Sequence, residues 1–305
     1  MSGKIFVVTG ANKGIGYAIV EVLAKTIDGG VVYLTARNEE LGKTALKTIE
    51  ETLGSSQKSK IVFHQLDITD ENSVKAFADH LKKTHNGLDV LINNAGFAFP
   101  FETKEDPSKR AEITIGINYY GTKLVSSYLI PLIKKDGRVV NVCSQGGILN
   151  SLTKEPNLDV HRELIPKDEF DQFMVMYNTF MCDKYSQENI DKLVNVSSEK
   201  AIDDFVENFK KTVKDGNSVE KGYPTFEYRV SKAAEIALTM LHHKLYSGKG
   251  IKINACCPGY VDTDLNQHTG SLTIYQGADT PVYLAVDPEA PDGKFVYARR
   301  NIDWY

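Results

Sequence analysis

Apolar residues in this 305-residue chain gather into short unbroken runs instead of alternating with polar ones. The runs are IFVV (5–8), VVYL (31–34), IVF (61–63), DVLI (89–92), RVVNV (138–142) and IKINAC (251–256). Runs this short and this rich in Val and Ile suit strands covered on both faces, as in a parallel sheet, and are too short for buried helices. The first four start about 30 residues apart, the length of one strand–helix–strand unit. Between them the apolar positions take helical spacing: Ile15, Ala18, Ile19, Val22 and Leu23, then Val74, Phe77, Ala78 and Leu81 behind the acidic pair Asp70-Glu71. This alternation predicts an α/β protein, a doubly wound parallel sheet with helices on both faces.

The rhythm breaks between Asn150 and Tyr223, where no buried-strand run occurs and charge is dense. Two amphipathic stripes stand there: Phe170, Phe173, Met174, Tyr177, Phe180 and Met181, then Ile202, Phe205, Val206, Phe209 and Val213, ending near Gly216. They predict a helical insertion, about 150–223, packed on the main domain, so that residues 1–305 form a single domain. The stripes read first as packing surfaces and second as a substrate wall or lid.

Composition narrows the function classes. A formal charge of −4 gives no reason to expect nucleic acid or an anionic membrane as partner. No apolar run approaches the length of a membrane span, and the run at Ile5–Val8 is too short for a signal-peptide core. Cys143, Cys182, Cys256 and Cys257 lack Cys-x-x-Cys spacing, which suits a reduced cytoplasmic chain. The seven histidines contain no His-Glu-x-x-His, so no metal is expected.

TGANKGIG, Thr9 to Gly16, follows the first strand and opens a helix. Gly10 permits a tight turn, Gly14 lets the backbone approach a pyrophosphate, and Gly16 lets helix meet strand. The helix N-terminus offers free N–H groups and a positive dipole end to phosphates. Glycines collect in any turn, but between strand one and helix one they point to a dinucleotide, with Asn12, Lys13 and Ile15 in the cradle. Strand two ends in TARNEE. An NAD site normally places Asp or Glu there, whereas Arg37 suits the 2′-phosphate of NADP. Lys13 is a second cation in reach, and Glu39 and Glu40 read as solvated helix-start charges. The cofactor expected is NADP(H).

YRVSK places Tyr228 and Lys232 one helical turn apart, on one face. With 15 tyrosines in the chain, about 1.4 Tyr-x-x-x-Lys pairs are expected by chance, and a second pair, Tyr119 and Lys123, is present. Location must separate them.

Together these residues resemble the short-chain dehydrogenases/reductases. TGANKGIG is similar to that family's nucleotide loop, NNAG (93–96) to its strand-four signature, and CCPG (256–259) to its strand-six turn. Asn118, Ser144, Tyr228 and Lys232 match its catalytic tetrad. Within the family the chain resembles the cytosolic NADPH-dependent carbonyl reductase branch, through Phe63–Ile68 (FHQLDI), Asn254–Gly259 (NACCPG) and Thr280–Ala285 (TPVYLA). The resemblance implies a Rossmann-type fold. It also implies an insertion before the catalytic tyrosine that keeps members monomeric by covering a dimerising helix. Four features depart from the branch. The interval from Ser144 to Tyr228 is longer, and Leu41 and Lys43 stand where a second cation would follow Arg37. Cys143 replaces a serine, and Tyr260 stands where tryptophan is common.

The family places its pair between strands five and six, which selects Tyr228–Lys232 and leaves Tyr119–Lys123 as helix surface behind Asn118. In the implied mechanism Tyr228 donates a proton to a carbonyl oxygen and Ser144 hydrogen-bonds it. Lys232 holds the nicotinamide ribose and lowers the phenol's pKa, and Asn118 anchors a relay water. Strand-end capping for Ser144 and helix capping or a kink for Asn118 are the competing structural readings. Asp67 reads as an adenine contact or a helix N-cap, with Ile68 beside it. Asn94, Ala95 and Gly96 are expected under the cofactor ribose, and Pro258, Gly259, Val261 and Thr263 around the nicotinamide amide. Cys256 and Cys257 read as reactive thiols or as small buried strand-end residues. The expected function is NADPH-dependent reduction of ketones, aldehydes or quinones. A dedicated dehydrogenase of a steroid, terpenoid, alkaloid or prostanoid, and a non-catalytic NADP-binding redox sensor, are the alternatives.

Overall fold

A computed structural model describes residues 3–150 and 183–305, together with Met174. Eight strands form one sheet: β1 (Ile5–Val8), β2 (Val31–Ala36), β3 (Lys60–Gln65), β4 (Leu88–Asn93), β5 (Ile133–Val142), β6 (Lys252–Cys257), β7 (Phe295–Tyr297) and β8 (Arg300–Ile302). Their spatial order is β3-β2-β1-β4-β5-β6-β7-β8, parallel throughout except that β8 runs antiparallel to β7. All four residues of β1 and all six of β4 are buried, which is why β1 is wholly apolar and β4 carries only Asp89 and Asn93 among apolar residues. The six strands read from the sequence are all present. β7 and β8 carry only three residues each, too few to show a run.

The helices are α1 (Gly14–Thr26), α2 (Glu39–Leu53), α3 (Glu71–His85), α4 (Pro107–Ile115), α5 (Thr122–Leu129), α6 (Gln187–Val194), α7 (Glu199–Lys214), α8 (Glu227–Tyr246) and α9 (Ile274–Val286). On one face of the sheet, apolar residues of α1, α2 and α9 close a core over Phe6, Val8, Val32, Val90 and Val140. The other face packs against α3 and α5 through Phe77, Leu81, Val125 and Leu129. Asp70 caps α3 by accepting from Asn72 N–H, and Asn86 ends it in the left-handed conformation. On α1, Val20 takes the core-facing place expected for Val22, which is half-buried. Between α4 and α5 the chain stays helical but widens to a π-helical turn, Gly116–Gly121, which contains Asn118.

Of the two insertion stripes, the first lies outside the described residues apart from Met174, which packs on the main core. The second is α7, with Ile202, Phe205, Val206 and Phe209 buried against α4 and α8. α6 is a further helix that the sequence reading missed; at eight residues it shows barely two turns of periodicity.

The structure corrects the placement of Tyr119–Lys123. Tyr119 is fully buried, and its hydroxyl donates to Asp203 Oδ1 of α7 at 2.8 Å. Lys123 Nζ donates to both Asp203 oxygens, at 2.8 and 2.7 Å. This pair therefore fastens the insertion instead of facing water, because α7 covers that helix surface. Replacing Asp203 with alanine leaves the buried phenol, among the described residues, only Glu199 O, at 3.4 Å, and the ammonium only Glu199 Oε2, at 3.6 Å. It should lower stability by about 1–3 kcal/mol in a urea titration; an unmoved midpoint would show that the anchor carries no weight.

Candidate active site

The sheet order reverses between β1 and β4, and loops at the carboxyl ends of those strands flank a crevice suited to a nucleotide. Gly10 turns there with φ +63°, and a Cβ on it would stand 2.8 Å from Ala95 Cα, so glycine alone fits. Thr9 Oγ1 accepts from the N–H groups of Asn94 and Ala95, both at 3.0 Å. The Asn94 side chain returns two bonds, to the carbonyls of Thr9 (2.9 Å) and Gly10 (3.2 Å). Asn94 is thereby committed to locking the glycine loop, with Ala95 and Gly96 continuing the crevice floor.

α1 begins at Gly14 with Lys13 in the N-cap place and no side chain capping it. By contrast α2, α3, α4, α6, α7 and α9 are each capped by Asn, Asp, Ser or Thr. The first-turn N–H groups of α1, around Gly14, Ile15 and Gly16, therefore remain available to an anion, and this cradle fits a dinucleotide pyrophosphate. Thr263 closes the other side, its Cγ2 lying 3.4 Å from where a Gly14 Cβ would be. Pro258 and Gly259 (φ +89°) turn the chain off β6, and Val261 is buried beside α9. Arg37 stands exposed at the end of β2 and makes no ion pair with any described residue. Lys13 instead pairs with Asp264 at 2.6 Å, bridging the glycine loop to the loop after β6. Asp67 is not the cap of α3; its Oδ1 accepts from Thr69 N–H and hydroxyl. Ile68 packs against Gly121, where a Cβ would meet it at 2.7 Å.

At the next strand end the chain brings Ser144, Tyr228 and Lys232 together. Ser144 follows β5, and its Oγ accepts from Gly146 N–H at 3.0 Å. The turn holding it presses against α8 so closely that a Cβ on Gly147 would stand 2.7 Å from the Lys232 carbonyl carbon. That approach sets Ser144 beside the Tyr228 phenol, in the first turn of α8, where its hydroxyl draws the phenol's pKa down. Lys232 Nζ lies 5.6 Å from the Tyr228 ring centre, 3.3 Å from Val142 O, and 3.6 Å from a hypothetical Gly96 Cβ, so it faces the crevice floor. Asn118 is fully buried: its Nδ2 donates to Phe97 O and Ser231 Oγ, both at 2.9 Å, while its Oδ1 accepts from Phe97 N–H at 2.7 Å. The π turn aims this side chain at the loop after β4, and its four bonding directions are largely spent there.

The electrostatics differ from the sequence expectation. Lys232 does draw the Tyr228 phenol down, but burial is the largest influence and the net direction is upward, with Glu235 and Cys257 adding to it. Glu235, three residues beyond Lys232, puts Oε2 at 2.7 Å from the ammonium, and both side chains are almost completely buried. Burial alone would lower the Lys232 ammonium; Glu235, Tyr228 and Cys143 outweigh it and hold the group charged. Burial pushes the thiols of Cys143, Cys256 and Cys257 up, which marks them as small packing residues and not reactive thiolates. Sequence reading passed over Thr9, Ser231 and Glu235. Only Glu235 leaves a trace there, a lone acid inside the apolar stretch AAEIALTML.

A glycine loop at the switch point of a parallel sheet, with tyrosine, lysine and serine at the adjacent strand end, defines a dinucleotide-binding oxidoreductase. The chain belongs to the short chain dehydrogenase family, whose model matches residues 4–155 and 212–272, with its internal gap inside the insertion. Carbonyl reductase [NADPH] 1 of Bos taurus is 38% identical over 310 residues, covering 99% of each chain. The Homo sapiens protein of the same name is 37% identical over 313 residues, covering all of both. Among solved structures, salutaridine reductase from Papaver somniferum superposes with a TM-score of 0.76 at 27% identity, over 97% of this chain and 99% of that one. Menthone neomenthol reductase from Mentha piperita gives 0.74 at 28%, over 99% and 100%.

Proposed function

We propose that the protein is an NADP(H)-dependent carbonyl reductase acting on ketones, aldehydes or quinones. The observation that carries this reading is the meeting of Ser144, Tyr228 and Lys232 beside an uncapped helix N-terminus at the sheet's switch point. Two full-length relatives named carbonyl reductase [NADPH] 1 support both reaction and cofactor. The dinucleotide, when bound, supplies the hydride that reduces the carbonyl carbon.

The protein's own groups do the rest. Gly10, Asn12, Lys13, Gly14, Ile15 and Gly16 hold the pyrophosphate end, and Arg37 the 2′-phosphate. Asp67 and Ile68 border the adenine; Asn94, Ala95 and Gly96 the ribose; Pro258, Gly259, Val261 and Thr263 the nicotinamide amide. Tyr228, kept protonated by its buried setting, gives its proton to the carbonyl oxygen. Ser144, its oxygen accepting from Gly146 N–H, would turn its O–H from the phenol to the same carbonyl. Lys232 has one donor left beyond Val142 O and Glu235 for a ribose hydroxyl. Asn118 shapes the channel through which a water returns the proton. α7, lying across α4 and α8, supports a monomer, which sedimentation velocity would test.

Loss of NADPH absorbance with menadione, phenylglyoxal or isatin tests the reading; a folded, nucleotide-loaded protein inert toward all carbonyls would point to a redox sensor. Turnover confined to one ketone would favour a dedicated reductase, the second reading, which the likeness to two structures each named for their own reductase activity supports. Arg37→Ala should weaken NADPH binding about 10- to 100-fold, the value of charge-assisted hydrogen bonds of about 1.5–3 kcal/mol, and leave NADH binding alone. Equal loss for both nucleotides in fluorescence titrations would remove Arg37 from the 2′-phosphate.

A further inference from the structure

The most unusual group in the molecule is a carboxylate with no part in the mechanism above. Glu235 is 1% exposed in the middle of α8, with apolar residues on either side in sequence. Its Oε2 lies 2.7 Å from Lys232 Nζ, and its Oε1 accepts from Thr122 Oγ1 of α5 at 3.2 Å. Burying a carboxylate costs several kcal/mol unless a partner offsets it, and here the partner is the catalytic ammonium itself. One ammonium therefore serves two groups: a carboxyl that burial pushes up and the ammonium and Thr122 draw back down, and the phenol it is meant to acidify.

We propose that Glu235 is a positioning residue for this reaction: its carboxylate fixes the Lys232 ammonium under the crevice and offsets its charge, keeping Tyr228 a proton donor and suppressing alcohol oxidation near neutral pH. The inference rests on reading the site as carbonyl-reducing. In reduction the carbonyl carbon gains hydride as the dinucleotide is oxidised, and the carbonyl oxygen gains the Tyr228 proton. The resulting phenolate is reprotonated from water. Alcohol oxidation is the reverse and must start from the phenolate. A charge that disfavours phenolate therefore favours one direction of use over the other.

The surroundings leave this role to few groups. From the turn after β5 come Cys143 and Ser144, and from β6 Cys256 and Cys257, with burial pushing all three thiols up. From the π turn and α5 come Asn118 and Thr122, both uncharged. On α8 itself the Arg229 guanidinium is turned away to the carbonyls of Gly146, Ile148 and Asp183. Among the described residues, Lys232 draws the Tyr228 phenol down and Glu235 pushes it up. The geometry agrees: the ammonium sits between carboxylate and phenol on one helix face.

The test is Glu235→Gln, nearly the same in shape, read in protein labelled with ¹³Cζ-tyrosine and free of nucleotide, with Tyr228→Phe to assign the resonance. The phenol midpoint should fall by about one pH unit, the size of a neighbouring charge removed from a buried site. Alcohol oxidation at pH 7 should rise about tenfold, and the alkaline limb of kcat/KM for reduction should move down, while Glu235→Asp, which keeps the charge, leaves the midpoint near its original value. An unmoved midpoint in folded Glu235→Gln, or the same shift in Glu235→Asp, overturns the proposal. Should Glu235→Gln not fold, a Tyr228 midpoint below the ordinary value of about 10 in the unaltered protein overturns the proposal. If no carbonyl is reduced at all, the functional reading fails, and the nucleotide-free titration still judges Glu235 separately.

Discussion

Tyr228→Phe should retain NADPH binding and lose about 10²- to 10⁴-fold in kcat, the usual worth of a positioned general acid. The substitution removes one oxygen and leaves the ring in place on α8, so the fold and the crevice are unaffected. What disappears is the proton donor. Stopped-flow hydride transfer with a saturating quinone, beside fluorescence titration of NADPH, separates chemistry from binding. A variant turning over near the normal rate would take Tyr228 out of the reaction. So would a loss appearing wholly in KM.

Phe209→Ala should cost about 3–5 kcal/mol, a large share of the roughly 5–15 kcal/mol that holds a native protein together. Phe209 is fully buried on α7, its ring 5.3 Å from that of Tyr223 and within the core that joins α4, α7 and α8. The cavity would loosen the insertion from the helix that carries Tyr228 and Lys232. Urea denaturation measures the loss. A cost under about 1 kcal/mol would mean that α7 rests on the main core without contributing to it.

The sheet was legible because its inner strands are buried on both faces, so each carries a short run made mostly of apolar residues. The glycine loop was legible because tight turns and close backbone approach leave few residue choices. β7 and β8 were not, since three residues make no pattern. The two Tyr-x-x-x-Lys pairs are the sharpest lesson. Identical in spacing, one lines the crevice and the other is buried under α7 against Asp203, 80 residues or more away in sequence. Asn118 illustrates the same limit: its bonds reach Phe97 and Ser231, and no local pattern announces either partner.

Residue order by itself settled the layered α/β plan, the strand-one glycine turn and the residue types on offer for catalysis, since hydrophobic period and backbone sterics act over a few neighbouring residues. Only the folded chain decided that Tyr119 and Lys123 are held by Asp203, what Lys13 pairs with, and that an acid stands behind the reactive lysine. Electrostatic balance depends on distance and burial, and both are set by segments that meet from opposite ends of the sequence.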